Sequence, residues 1–424
     1  MKMVPTILVF LFMPFYLFAQ NVGIGTPTPQ AKLHIQGNAD TSQLVIDANS
    51  TQSNLRPLIK LRNAAGVDLM HIHSDDTSNT FIGRNAGRLN TSSGTLPGKF
   101  NSFIGAGAGY SNTTGYFNTA NGYNALNSNT TGTYNTANGV YALRYNSTGN
   151  GNTANGAFAL YTNTFGYSNT ANGYQALFAN TIGYYNTAQG NNALYSNTTG
   201  SGNAANGYNA LFSNTTGTFN TANGAYALRY NSTGNFNTTN GYSALYANTT
   251  GYNNTANGSS ALYSNSTGHN NIASGYQALY ANTTGAFNNA NGIYALYNNK
   301  TGNYNTANGN LALYSNSANH QNTAIGYRAL YNTSASDYNT AVGANAGDSY
   351  NNGYNNVFIG ANTDVNGSGY YNVVAIGQGT IATDNSQVRL GNASTFTLFC
   401  QGAYASTIAS TANLFVNSLG QIMR

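Results

Sequence analysis

GYNALNSNTTGTYNTAN, residues 122–138, is followed at once by a near copy of itself that begins at Gly139. The glycine at this phase returns every seventeen residues, through Gly156, Gly173 and Gly190 to Gly343, Gly360 and Gly377. Alanine stands three positions after it in all fourteen units from Ala125 to Ala346, and leucine follows in the thirteen from Leu126 to Leu330. A fixed short period over most of a 424-residue chain outweighs the several domains that length alone suggests, and reads as a solenoid.

Each unit holds two short alternating runs, Asn-Thr-Ala-Asn-Gly and Ala-Leu-Tyr, separated by Gly and Asn-x-Thr-Gly. Alternation favours strands, while Gly and Asn favour turns and positive φ. The pattern predicts an all-β solenoid of seventeen-residue coils, each with two strands and two turns. Parallel stacking at ~4.8 Å per coil gives a rod of roughly 75–80 Å between Gly105 and Gly377.

The ends of the array differ from its middle. Where central units carry Asn121, Asn138 and Asn155, the outer ones carry Ile104, Ile325, Val342, Ile359 and Ile376. Two positions earlier, on the same strand face, Thr119 and its equivalents give way to Val357 and Val374. An apolar face at the ends suggests that this face points inward throughout. Thr119 and Asn121 would then join Ala125 and Leu126 as an internal ladder, with Gln189 and Ser274 as its breaks. The alternative is an outward face with solvated asparagines.

Composition excludes several functions. Charged residues make up 5% of the chain, Trp is absent, and no carboxylate lies between Asp76 and Asp337. The net charge of +5 is spread thinly, so no cluster of Lys and Arg exists to neutralise nucleic-acid phosphates. Nucleophilic catalysis needs a base and an orienting acid, and the repeats hold no acid; no enzyme and no cofactor are expected. Asp ladders for calcium are likewise missing. The one cysteine, Cys400, reads as a buried apolar residue.

Outside the array, residues 1–20 combine Lys2, a long apolar run and Ala19 before Gln20, the pattern of a secretory signal peptide. No second run of spanning length follows, so a secreted or outer-surface protein without membrane insertion by this chain is expected. Residues 21–80 hold short alternating segments such as 43–47, 58–62 and 68–73, and read as a β-rich N-terminal cap. Residues 81–391 form the repeat region and 392–424 a C-terminal neck. A block of five units also recurs: residues 205–215 nearly copy 120–130, and Arg229 copies Arg144.

The units NTAIGYRA (322–329) and NTAVGANA (339–346) resemble the head repeats of YadA-like trimeric autotransporter adhesins, and VAIG (374–377) with DNSQVRLG (384–391) resembles the closing repeats of such heads. The resemblance implies a left-handed parallel β-roll, a homotrimer and surface adhesion. Family repeats run nearer fourteen residues than seventeen, and neither a coiled-coil stalk nor a membrane barrel is found here. NVGIGTPTPQAKLHI (21–35) resembles a strand motif of trimeric phage tail fibres. ANLFVNSLGQIMR (412–424) resembles the lead-in to the intramolecular chaperone domain that ends many such fibres, which suggests truncation or processing. Independently of resemblance, one Leu and a few Ala and Tyr per coil make a thin core, which argues for association of several chains.

Three readings follow. The first is an adhesin that displays aromatic and Asn side chains to glycans or proteins, with Tyr195, Phe212, Tyr246, Tyr263 and Tyr280 as ligand contacts if exposed. The second is an ice-binding solenoid built on the Thr119-x-Asn121 lattice, which Ala204, Ile272 and Asn289 interrupt. The third is a phage-type fibre shaft. His71 and His73 share a strand face, and three copies around an axis would gather six imidazoles for a metal; the plainer reading is two half-exposed strand histidines. His269 and His320 fall at a variable loop position. Asn-x-Thr triplets such as the one at Asn129 read either as glycan acceptors or as turn residues.

Overall fold

A computed structural model describes residues 57–394 and, outside that span, only residues 22–24, 33–35, 44, 46, 415, 416, 422 and 423. The signal-peptide segment, most of residues 21–56 and Cys400 therefore lie outside the described residues. Among the described residues there is no helix. One parallel sheet runs from Thr80–Ile82 to Val388–Leu390, built from a three-residue strand in each coil. Pairing is in register, Thr119 on Thr136 on Thr153 and Ala120 on Ala137 on Ala154, so like meets like along the axis. At its N-terminal edge the sheet pairs antiparallel with Asp68–His73, which in turn pairs with Ile59–Arg62.

The second expected strand forms only near the C-terminal end, where Asp364–Val365 pairs parallel with Ile381–Ala382; in the central coils it does not form. Leu126 takes φ 51° and Asn124 also φ 51°, so the Ala-Leu run winds as a turn. Its backbone still reaches the next coil: Leu126 N–H donates to Ala142 O at 2.9 Å and Ser128 N–H to Arg144 O at 2.9 Å. Left-handed φ costs an L-residue roughly 1–2 kcal/mol. Complete burial of the Leu126 side chain returns ~1.5–3 kcal/mol, and the backbone bonds add to that.

The interior is narrow. Ala120, Ala125 and Leu126 are fully buried, and so are their equivalents down the axis. With Ala120 inward, its neighbours Thr119 and Asn121 must point outward, and both are exposed. The inward placement expected for that pair is thus corrected. The apolar end residues share the outward orientation, since Ile325, Val342, Ile359 and Ile376 are each more than a third exposed.

An internal amide ladder does exist, built from other asparagines. Asn118 and Asn135, one residue before each strand, are fully buried. Asn118 Oδ1 accepts both the backbone N–H of Asn135 at 3.0 Å and its Nδ2 at 3.2 Å, while Asn135 Nδ2 also donates to Gly149 O at 2.8 Å. The backbone rung continues without a break from Asn101 to Asn356, while the side-chain rung shifts at Asn322, whose Nδ2 donates to Asn316 Oδ1 at 3.4 Å. A second ladder uses the Asn of Asn-x-Thr-Gly: Asn129 Nδ2 donates to Asn112 Oδ1 at 2.7 Å and to Gly132 O at 3.0 Å. It ends at Asn316, beyond which Thr333 and Tyr350 occupy the equivalent positions. On the outer face only short pieces form, such as Asn138 to Asn155 at 2.9 Å.

Two glycines set the closeness of the coils. A Cβ on Gly122, which has φ 139°, would lie 2.5 Å from Gly139 O; one on Gly132 would lie 2.3 Å from Asn129 Oδ1. Neither glycine has room for a Cβ among its neighbours; the first keeps its period to Gly377, whereas Asn319 and Ser336 take the second position where the Asn129 ladder ends.

Candidate binding surface

Since Ala, Leu and the buried Asn fill the inside, any ligand must be met by the outward positions. The aromatic rank that begins at Tyr161 holds Phe178, Tyr195 and Phe212, with ring centroids 5.1 Å apart and nearly parallel planes. It resumes at Tyr246 and runs through Tyr263, Tyr280, Tyr297 and Tyr314 to Tyr331. Tyr195, Phe212, Tyr246, Tyr263 and Tyr280 are half-buried and stacked on one another. Their faces are occupied by neighbouring rings, so the rank stitches coils together and offers only ring edges and phenol oxygens to a ligand. Burial pushes the phenols of Tyr263 and Tyr297 above their usual range.

The more exposed rings stand elsewhere. The residue immediately before each buried Asn is aromatic in many coils, and Tyr134, Tyr185, Phe219, Phe236, Tyr304 and Tyr338 are each more than half exposed there. All have φ between 55° and 59°, the left-handed region that disfavours an L side chain. Exposure gives little burial in return. Stacks are short, such as Phe219 on Phe236 at 5.3 Å, and Gly151, Ser168 and Gly202 interrupt the column. A sequence signal for this column existed: the aromatic recurs one place before the Asn-Thr-Ala run, opposite in phase to a buried residue. A second exposed set follows the unit glycine, including Tyr123, Tyr174, Tyr208 and Tyr242.

Every arginine from Arg84 to Arg328 falls on the side that carries the stacked rank. Arg144 and Arg229 occupy positions of the rank itself. The Arg229 guanidinium lies 5.9 Å from the ring centroids of both Phe212 and Tyr246, and its Nη1 donates to Tyr246 Oη at 3.2 Å. Arg144 sits 4.7 Å from the Tyr141 ring and 5.0 Å from that of Tyr145. Arg88 lies over Tyr110 at 5.7 Å. Arg84 lines a shallow cleft with Tyr110, Tyr123, Asn124 and Asn127. Of these arginines and Arg328, only Arg328 meets a carboxylate, Asp348 at 3.1 Å.

His71 and His73 do share one strand face, but both are buried rather than half-exposed. His71 Nε2 lies 3.1 Å from Asp68 Oδ2, and His73 packs on Phe81 with ring centroids 5.3 Å apart. Burial, aided by neighbouring His71, pushes the His73 imidazole down to about 4. Among the described residues no three His, Cys, Asp or Glu side chains gather to hold a metal. His269 stacks on Tyr252 at 4.7 Å, and His320 Nδ1 accepts the Asn303 N–H at 3.0 Å. Asn129 and Asn146 are fully buried with their Nδ2 engaged in the ladder, so neither presents a glycan acceptor in the folded coil. No helix among the described residues is long and apolar enough to cross a membrane. No family model matches the chain, and no curated protein matches it.

Proposed function

We propose that the chain is a secreted, surface-displayed adhesin whose stacked coils hold repeated side chains out to glycans or proteins. The column of exposed rings from Tyr134 to Tyr338 carries this reading. Bulky aromatics kept at left-handed φ with little burial are hard to explain by stability, and local strain of this kind concentrates at functional positions. The likeness to YadA-like heads points the same way. Association into a homotrimer is supported by the apolar outward residues at the C-terminal end, where Ile325, Val342, Ile359, Ile376 and Leu390 sit on successive strands. A contiguous exposed apolar stripe on an otherwise polar rod calls for a partner.

The test is attachment of the full chain to an immobilised glycan and protein panel. Replacing Phe219, Phe236 and Tyr304 by Gly, which suits their φ, should abolish attachment while the melting temperature holds or rises. Unchanged attachment would contradict the proposal. The outward Thr and Asn ranks favour one second reading, an ice-binding lattice. Thermal hysteresis at high protein concentration would establish it, and freezing without hysteresis would remove it.

A further inference from the structure

We infer that the face carrying the arginines binds linear polysaccharides with acidic groups, uronate or sulfate ester; this rests on the adhesin reading and names its ligand class. Arginine on the repeat region is sparse but kept to one side from Arg84 to Arg328, while Lys99 pairs with Asp76 and Lys300 stands in an Asn-x-Thr-Gly turn. Arg84, Arg88, Arg144 and Arg229 all lie on the side of the stacked rank, and none has a carboxylate partner in the structure. No acidic residue occurs between Asp76 and Asp337, so nothing nearby on that span neutralises them.

The setting of each guanidinium suits an external anion. Arg144 and Arg229 are packed against rings and tied by one Nη1 to a phenol oxygen, which orders the side chain before any ligand arrives. A planar guanidinium already fixed in place loses less entropy on pairing with a carboxylate or sulfate. Between the arginines run the phenol edges of the rank, neutral donors and acceptors suited to sugar hydroxyls. Arg88, Arg144 and Arg229 stand three and five coils apart, ~14 Å and ~24 Å along the rod. Such wide, one-dimensional spacing fits an extended chain with periodic charge. It is too dilute for the dense phosphates of nucleic acid, whose binding rests on many clustered cations.

The experiment measures binding of the full chain to alginate, to neutral dextran and to single-stranded poly(dT), each in low and high salt. The variant combines Arg84→Gln, Arg88→Gln, Arg144→Gln and Arg229→Gln, which keep most of each stem and a planar amide against the rings. The inference expects alginate to bind well above dextran and poly(dT), to be released by salt, and to weaken at least about tenfold in the variant. Matched melting temperatures check that the variant is folded. Equal binding of dextran, or an unaffected variant, overturns the inference and leaves the adhesin reading standing. Preferential binding of poly(dT) overturns the glycan assignment. Loss of all binding to glycans and proteins by the native chain removes both.

Discussion

Central and terminal coils share one strand geometry with a buried middle residue but differ at the same outward position. Asn172 in the middle and Ile359 near the C-terminal end both flank a strand residue that is fully buried, Ala171 and Phe358. The fold accepts either because the outward side chain takes no part in closing the coil. Closure in the central coils belongs to the recurring Ala, Leu, two Asn and two close-packed Gly, and near the C-terminal end Thr333, Tyr350 and Phe358 replace some of them. The difference teaches that the outside of this rod is free to vary, polar in the middle and apolar towards the end.

That contrast is sharpest when one substitution is placed inside and outside the same coil. Asn186→Asp puts a carboxylate where an amide donates to Asn169 Oδ1 at 3.1 Å and to Gly200 O at 2.9 Å. Both donors vanish and a charge is buried, so a loss of ~3–5 kcal/mol is expected in chemical denaturation. Asn172→Asp, on the outside, should change stability by no more than ~0.5 kcal/mol. Equal effects would erase the distinction between the two positions.

The end stripe gives the next largest effect. Changing Ile325, Val342, Ile359 and Ile376 together to Asn makes the end coils resemble the middle. Light scattering should then report a smaller particle, with each side chain removing up to ~1.5–3 kcal/mol of buried contact. An unchanged mass would mean that the stripe is not where copies meet.

Ends and middle also differ in titration. Over the central coils the buried polar side chains are Asn, Ser and Thr, whereas His73 is buried near the N-terminal edge and Asp364 near the C-terminal one. The His73 imidazole is held down to about 4 in the folded chain, from an ordinary 6.5. A depressed value means stability is intact above the ordinary one and drains away as pH falls towards 4. A loss of at most about 3 kcal/mol is expected over that window, confined to the N-terminal hairpin. Hydrogen exchange should show the hairpin loosening while central coils stay protected, and His73→Phe should flatten the response. A uniform response along the rod would contradict this.

The smallest effect concerns strain. Phe219→Gly relieves a left-handed aromatic but gives up its stack on Phe236 at 5.3 Å. Stability should move by ~1 kcal/mol or less, upward if strain outweighs the stack. A large loss would recast the column as structural.

Much of the fold was legible in the sequence because a period is visible without knowing orientation. The unit length, the parallel in-register stacking and the burial of Ala125 and Leu126 all follow from recurrence. Orientation of the strand face was not legible, because Thr-Ala-Asn alternates equally well either way. The apolar end residues argued for the wrong side: Ile359 faces out, where its sequence neighbours gave no hint of a covering surface. Buried ladders at Asn129 and Asn135 were hidden by residue type, since Asn beside Gly and Thr reads as a turn. In the central coils the second strand gives way to a turn because each Leu there is left-handed, a conformation too unfavourable to expect from local preference. The exposed column at Tyr134 is hidden in the same way, because its left-handed aromatics stand where local preference expects none.

The most direct test of which side faces in is thiol reactivity in a Cys400→Ser background. Cysteine is placed at Ala171 in one variant and at neighbouring Asn172 in another, and labelling of the native rod is timed. Rapid labelling is predicted at 172, with protection at 171 until the rod is unfolded. Protection at 172 with rapid labelling at 171 would contradict it.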